Sequence, residues 1–293
     1  MSGAVNFVWN YCNETSFNAI RNKNKWLTNF DLNNLTTGCS KELRISAETI
    51  NEICKEYVVK RRNAKKIKLS WRSRKRSLGW VPLKAKNYRL IDNDTIKYYG
   101  YIFKFWNSRS IVGEPKTAKF SQDGRGKWYI NIQCEINKTH LPPTGREVGI
   151  DLGLKTIATL SDNTKSDREN ITKKYEKKLA SAQRANKTRL IKTIHAKITN
   201  TRRDWAHKET TKIIENNDII VVGDVNSLNL KKTNLAKSVS DAGWFQFKSL
   251  LAYKAIRFGG EYMEVKENFS TVTCSTCLNK TGPRGLSALG VRE

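Results

Sequence analysis

Hydrophobic positions recur along this chain with two different periods, and the change of period marks its organisation. Val5, Val8, Trp9 and Cys12 fall at helical spacing. Ser46-Ala47-Glu48-Thr49 then opens a second periodic run through Ile50, Ile53 and Tyr57. Residues 1 to 68 therefore read as helical. Between residues 90 and 141 the period drops to two. Thr95-Ile96-Lys97-Tyr98-Tyr99 turns at Gly100 into Tyr101-Ile102-Phe103-Lys104-Phe105, and Lys127 to Cys134 alternates after a Gly124-Arg125-Gly126 turn. These are strand and hairpin signals, and residues 69–143 read as a β-rich, barrel-like region of a kind that often binds single-stranded nucleic acid. Pro142-Pro143 divides the chain.

Beyond the prolines, Glu147-Val148-Gly149-Ile150-Asp151 reads as a strand ending on a carboxylate. It turns through Gly153 and returns in the apolar run Thr156-Ile157-Ala158-Thr159-Leu160. Two basic helices follow, over residues 170–187 and 189–216, with Leu190, Ile194, Ile198 and Trp205 as an apolar stripe. His195 and His207 lie on the second and read as polar helix residues, because no partner at metal spacing accompanies them. Asp218-Ile219-Ile220-Val221-Val222-Gly223-Asp224 predicts a buried central strand that again ends on an acid. A helix over 242–258 and a strand over 261–265 complete the run.

This order predicts an α/β, RNase H-like domain over residues 144–269, preceded by an α+β region. A lone acid in an apolar strand is costly to desolvate unless it meets a cation or hydrogen-bond donors. Nucleases with such sheets gather carboxylates from strand ends around two metals about 3.5–4 Å apart. Asp151 and Asp224 are the candidate catalytic and metal-binding acids. Two simpler roles stay open for them: Asp151 as a turn acid capping Gly153, and Asp224 in an Asx-turn with Val225-Asn226-Ser227.

Charge narrows the partner. The chain carries 54 Lys and Arg against 27 Asp and Glu, a formal net charge of +27 over 293 residues. A bias of that size points to a polyphosphate partner rather than to a small-molecule substrate. With 38% hydrophobic residues the chain still builds real cores, so it is not a disordered polycation. Fourteen Lys and Arg and one acid fall between Lys55 and Arg89. There Arg61, Arg62, Lys65 and Lys66 lead into Trp71, Arg72, Arg74, Lys75, Arg76 and Trp80. Basic side chains neutralise phosphates while aromatic planes stack on bases, so these residues, with Arg202 and Arg203, are the candidate nucleic-acid contacts. A merely solvated charge run and an RNA scaffold protein are the alternatives. No stretch is apolar enough to span a membrane and the first residues lack a secretory pattern, so the expected location is cytoplasmic. Cys12, Cys39, Cys54 and Cys134 are scattered and read as small buried hydrophobes in a reducing compartment. Cys274 and Cys277 alone stand at metal-ligand spacing.

Val148-Gly149-Ile150-Asp151-Leu152-Gly153-Leu154-Lys155 resembles the first RuvC-like motif of the TnpB/OrfB proteins, transposon-encoded RNA-guided DNA endonucleases related to type V CRISPR effectors. Ile194-His195-Ala196-Lys197-Ile198 with Arg202-Arg203-Asp204-Trp205-Ala206-His207-Lys208 is similar to that family's helical segment. So are Ser238-Val239-Ser240-Asp241-Ala242-Gly243-Trp244, Leu251-Ala252-Tyr253-Lys254-Ala255 and the ribbon-like Ser270-Thr271-Val272-Thr273-Cys274-Ser275-Thr276-Cys277. The resemblance implies a guide RNA and a target DNA as partners and Mg²⁺ or Mn²⁺ at the acidic site. It also implies Zn²⁺ at a ribbon over residues 270–293, to which Cys274 and Cys277 bring two of four ligands. Three departures temper the expectation of cleavage. Gly223-Asp224 stands where the family has Glu-Asp, so the usual second acid is displaced by one residue. The family continues past residue 293 with a second Cys pair and a third catalytic Asp. It also begins with a barrel strand ahead of residue 1, so the chain reads as shortened at both ends. The expected protein is a TnpB-like RNA-guided DNA binder impaired in cleavage. A nuclease-dead guide-directed repressor and a non-specific RNA-binding transposon remnant are its alternatives.

Overall fold

The computed structural model describes residues 1–167, 170–224, 239 and 242–266. The chain forms two compact units, Met1–Asn137 and Lys138–Glu293.

The first unit opens with helices α1 (Ser2–Lys23), α2 (Asn29–Leu35), α3 (Ser40–Leu43) and α4 (Ala47–Ala64). Helix α4 starts where the sequence predicts. The Ser46 hydroxyl accepts the Thr49 N–H at 3.2 Å, which satisfies one of the orphan donors of the first turn. The stripe Val5, Val8, Trp9 and Cys12 on α1 is buried in one core with Ile50, Ile53, Cys54 and Tyr57 of α4. Two of the cysteines that sequence reading scatters come together there: the Sγ atoms of Cys12 and Cys54 lie 3.6 Å apart as free thiols.

Six strands follow in two antiparallel sheets. One has the order β1 (Trp80–Lys84), β5 (Glu114–Gln122), β6 (Trp128–Glu135). The other is the meander β2 (Tyr88–Asp92), β3 (Thr95–Tyr98), β4 (Tyr101–Lys104). Strand β1 lies inside the basic run and carries Pro82, which the sheet accepts because β1 is an edge strand. Helices and sheets share one core: the Trp9 ring meets Tyr57 at 5.4 Å and Trp80 at 6.2 Å, both edge-on.

The second unit is a mixed five-stranded sheet in the order β11-β10-β7-β8-β9. Strand β7 (Glu147–Asp151) pairs antiparallel with β8 (Ala158–Leu160), which turns into β9 (Lys165–Ser166). The chain then crosses through α5 (Ile171–Arg184) and α6 (Thr188–Asn216) to β10 (Ile219–Gly223), parallel to β7. Helix α7 (Trp244–Phe258) leads to β11 (Glu261–Val265), parallel to β10. Val148 and Ile150 of β7 and Ile220 and Val222 of β10 point into a core shared with α6 and α7. Lys254 of α7 is buried there, yet all three of its protons are used. They go to the His207 carbonyl at 2.6 Å and to the Thr210 and Thr211 hydroxyls at 2.8 and 2.6 Å, tying α7 to α6. Among the described residues no helix is long and apolar enough to cross a membrane.

Candidate functional site: strand-end carboxylates and a basic face

Asp218 fixes the entry to the two central strands. Its carboxylate accepts the backbone N–H groups of Thr144, at 2.9 Å, and Gly145, at 2.7 Å, together with the Thr144 hydroxyl. The first of these bonds holds its carboxyl below the usual range. The strands then run in register, Ile220 opposite Val148 and Val222 opposite Ile150; β7 ends on Asp151, and Asp224 follows directly after β10.

At the far end of β7, Asp151 pairs with Thr159 of β8 and is exposed. Among the described residues its carboxylate carries no hydrogen bond or ion pair. It does not cap Gly153, whose N–H instead goes to the Ile157 carbonyl at 3.3 Å. Gly153 is needed for a different reason: a Cβ there would stand 2.6 Å from the Thr156 carbonyl oxygen. The Trp244 indole N–H, at the start of α7, donates to the Gly153 carbonyl at 3.1 Å and pins the turn below Asp151.

Asp224 is differently placed. Its N–H donates to the Val265 carbonyl at 2.7 Å, continuing the β10–β11 ladder one step past Gly223. Its Oδ1 accepts from Lys248 Nζ at 3.0 Å, and the same ammonium meets Glu264 Oε2 at 2.6 Å. Tyr262 donates to the other Glu264 oxygen at 2.8 Å. Burial pushes the Lys248 amine down, but the hydrogen bonds it donates to Glu264 and Asp224 outweigh this and hold it above its usual value. The register gives the reason for this arrangement. Strand side chains alternate, so Asp224 shares a face with Val222 and Ile150, the face α7 covers, while Asp151 shares the opposite face with Gly149. The position beside Asp151 in β10 is Gly223, without a side chain. No group of three or more metal-ligating side chains forms among the described residues. Cys274 and Cys277 lie outside them.

The basic run in the first unit is ordered by a device the sequence hides. Asn10 and Asn13 of α1 each use their amide as a two-way clamp on extended backbone. Asn10 donates to the Arg72 carbonyl and accepts the Arg72 N–H, both at 2.8 Å. Asn13 does the same with Leu69, again at 2.8 Å. Asn6, one turn earlier, accepts from the Arg72 guanidinium at 3.0 Å. The helix thus presents side-chain amides to residues 69–72 as a neighbouring strand would present its backbone.

This ordering sorts the predicted contacts. Arg62, Lys65, Lys66, Arg74, Lys75 and Arg76 are exposed, and Trp71 stands 59% exposed beside them. Trp80 is only 6% exposed, packed in the core, and offers no face to a base. Arg72 is half-buried: it serves Asn6 and the Leu78 carbonyl and lies over the Trp9 and Trp80 rings at 5.5 and 5.8 Å. Arg61 is buried, with Nη2 on the Leu27 carbonyl at 2.8 Å. Of the α6 pair, Arg202 bonds the Thr172 hydroxyl of α5 and Arg203 is exposed. Sequence reading missed the asparagine clamp and Lys248. The clamp leaves one trace, Asn6, Asn10 and Asn13 at i, i+4 and i+7 along the apolar side of α1.

Comparisons with known proteins bear on the family and the fold. Residues 131–234 match the family model OrfB_IS605, "Probable transposase", and residues 244–291 match "Cas12f1-like, TNB domain". A protein of Streptomyces pristinaespiralis named "Putative RNA-guided DNA endonuclease" is 34% identical over 194 residues, 61% of this chain and 48% of its own length. The Escherichia coli "Putative RNA-guided DNA endonuclease InsQ" is 33% identical over 203 residues, 59% of this chain and 50% of its own. A TnpB-like protein of Acanthamoeba polyphaga mimivirus is 24% identical over 202 residues, 59% of this chain and 39% of its own. The chain thus spans about half the length of the curated relatives it matches. The solved "Cas12f1-sgRNA-target DNA complex" superposes with a TM-score of 0.59 at 11% identity, over 95% of this chain and 75% of that one, a likeness of fold.

Fold and matches together define a transposase-related protein of mixed α/β architecture. Over these stretches the chain is similar to the TnpB/OrfB family.

Proposed function

We propose that this chain is an RNA-guided DNA-binding protein whose RNase H-like, RuvC-type sheet descends from a metal-dependent endonuclease and cuts weakly. The regions would divide the work as a helical recognition part (1–68), a β-rich nucleic-acid grip (69–143), the nuclease-type domain (144–269) and a ribbon (270–293), acting in the cytoplasm. The strand order, an antiparallel hairpin pair joined through β7 to two parallel strands, supports the RNase H-like reading. The exposed basic segment on the asparagine clamp supports contact with guide RNA and target DNA. Guide and target are the partners because the relatives carry RNA-guided endonuclease names.

The observation that carries the weak-cleavage reading is Asp224 Oδ1 bonded to Lys248 Nζ at 3.0 Å, on the face of β10 opposite that of Asp151. Asp151 fits a divalent cation, being an exposed strand-end carboxylate with nothing else to serve. Asp224 does not fit as its partner, because an ammonium already answers its charge. A bound Mg²⁺ or Mn²⁺ would supply a Lewis acid and an activated water. Asp151 would hold the cation, while Lys248 and Glu264 keep Asp224 turned away. The same ion pair favours a guide-directed repressor that binds without cutting. Cys274 and Cys277 would contribute to a Zn²⁺ site.

The test is purification with co-purifying RNA, sequencing of that RNA, and binding and cleavage assays on matching and mismatched DNA. Guide-dependent binding with little Mg²⁺-dependent cleavage is expected. Robust cleavage lost in Asp151→Ala would overturn the weakened-nuclease part. Binding without discrimination between matching and mismatched DNA would leave only a non-specific remnant.

A further inference from the structure

A groove of about 810 Å³ opens between α2 and the C-terminal half of α4, lined among others by Trp26, Phe30, Arg61, Arg62, Lys65 and Lys66. Two features set it apart from an ordinary surface dip. Trp26 and Phe30 are 51% and 71% exposed, large rings left in water although a packed core lies beside them. Arg61, in contrast, is 5% exposed, and its Nη1 is buried with no acceptor while Nη2 is bonded to Leu27. A buried guanidinium with an idle donor is costly, and a ligand acceptor would remove the cost. The guanidinium lies 5.1 Å from the Trp26 ring centre, so ring and donor meet in one place. No acid lines the groove among the described residues, and Arg62, Lys65 and Lys66 make its rim basic.

We infer that this groove holds an unpaired nucleotide of RNA. The base would stack against both Trp26 and Phe30, its carbonyl or ring nitrogen would take the Arg61 donor, and its phosphates would lie against Arg62, Lys65 and Lys66. A paired base cannot enter, because its faces are covered by its neighbours. RNA is the source because loops and bulges present splayed bases, whereas a duplex DNA target does not. The inference rests on the proposed nucleic-acid function and adds to it which strand state is selected, and where.

The test compares the full chain with Trp26→Ala, Phe30→Ala and a Lys75→Ala/Arg76→Ala control. The probes are a short unstructured RNA, an RNA duplex, single-stranded DNA of the same sequence and an acidic peptide, measured by fluorescence anisotropy across a salt series. Trp26→Ala and Phe30→Ala are expected to weaken unstructured RNA about tenfold each, from lost stacking. Duplex affinity and the salt slope should stay as they are. The control should weaken both RNAs and flatten the slope. Both aromatics are exposed, so the variants keep their fold, and an unchanged melting curve verifies it. Equal losses on duplex RNA, or no loss on unstructured RNA, would overturn the inference while leaving nucleic-acid binding in place. Single-stranded DNA bound as tightly with the same Trp26 dependence would overturn the assignment to RNA. An acidic peptide captured in a Trp26-dependent way, in preference to RNA, would overturn it in favour of a protein partner. A chain that binds none of the nucleic acids would refute the proposed function as well.

Discussion

Lys248 Nζ stands 3.0 Å from Asp224 Oδ1 and 2.6 Å from Glu264 Oε2, so one ammonium of α7 holds together the acid just past β10 and the penultimate residue of β11. The lysine is the less exposed partner, with 14% of its side chain accessible against 53% for Asp224.

Removing that ammonium leaves two carboxylates facing each other. Lys248→Ala is expected to lower stability by about 1 kcal/mol through the lost charge-assisted bonds, while raising Mn²⁺ affinity several-fold as the freed acids seek a cation. Calorimetric titration with Mn²⁺ reads the second effect. An unchanged affinity would show that Asp224 plays no part in metal binding even when released.

Asp151 and Asp218 should respond oppositely to the same isosteric change. Asp151→Asn disturbs no hydrogen bond among the described residues and should melt with the parent, while losing whatever divalent-ion binding the sheet has. Asp218→Asn weakens the bonds from Thr144 and Gly145 that start β7 and β10, and should melt earlier. Thermal unfolding of the two side by side decides it; a destabilised Asp151→Asn would contradict the exposed, unencumbered carboxylate.

The asparagine clamp is expected to be stiff and costly to lose. Asn13→Ala leaves a backbone N–H and C=O of Leu69 without partners and should cost about 2–3 kcal/mol in urea unfolding. Hydrogen exchange at the Leu69 and Arg72 amides should speed up together. Unaltered protection at Leu69 would mean that the segment is held by something else.

Asp123 gives the β5–β6 turn a defined acid limit. Burial raises its carboxyl, but the Arg125 side chain, the N–H groups of Lys127 and Arg125 and the Tyr129 hydroxyl outweigh this and hold it at about 2. A depressed carboxylate stabilises the fold above its unfolded value near 3.8, and the contribution is lost as pH falls from there towards about 2. Carboxyl-carbon NMR should follow Asp123 through that window, and Asp123→Asn should remove the local pH response. A midpoint near the ordinary value would disprove the network.

Much of the second unit was legible because its strands are short apolar runs between helices of clear period. Glu261–Val265 and the Asp151 strand appear where the sequence order of elements places them. The Ser46 cap was legible too, since its hydroxyl acts within one turn. What escaped was set by contacts distant in sequence. Strand β1 is broken by Pro82 and flanked by cations, so its pattern is visible only once β5 is beside it. Trp80 looked like a stacking platform because an aromatic among arginines reads the same whether it turns outward or into a core. The clamp formed by the asparagines of α1 has no local signature because their partners lie 56 to 66 residues away. The engagement of Asp224 depends on Lys248, 24 residues on, which nothing local announces.

The clamp on residues 69–72 has a consequence for how this chain can vary. Because α1 grips that segment through its main chain, the path of the segment does not depend on Trp71, an exposed side chain between the two clamps. That side chain can be exchanged, and the surface it offers retuned, without redrawing the backbone. Position and chemistry are inherited separately: one is written in the asparagines of a helix, the other in the sequence of the loop it holds.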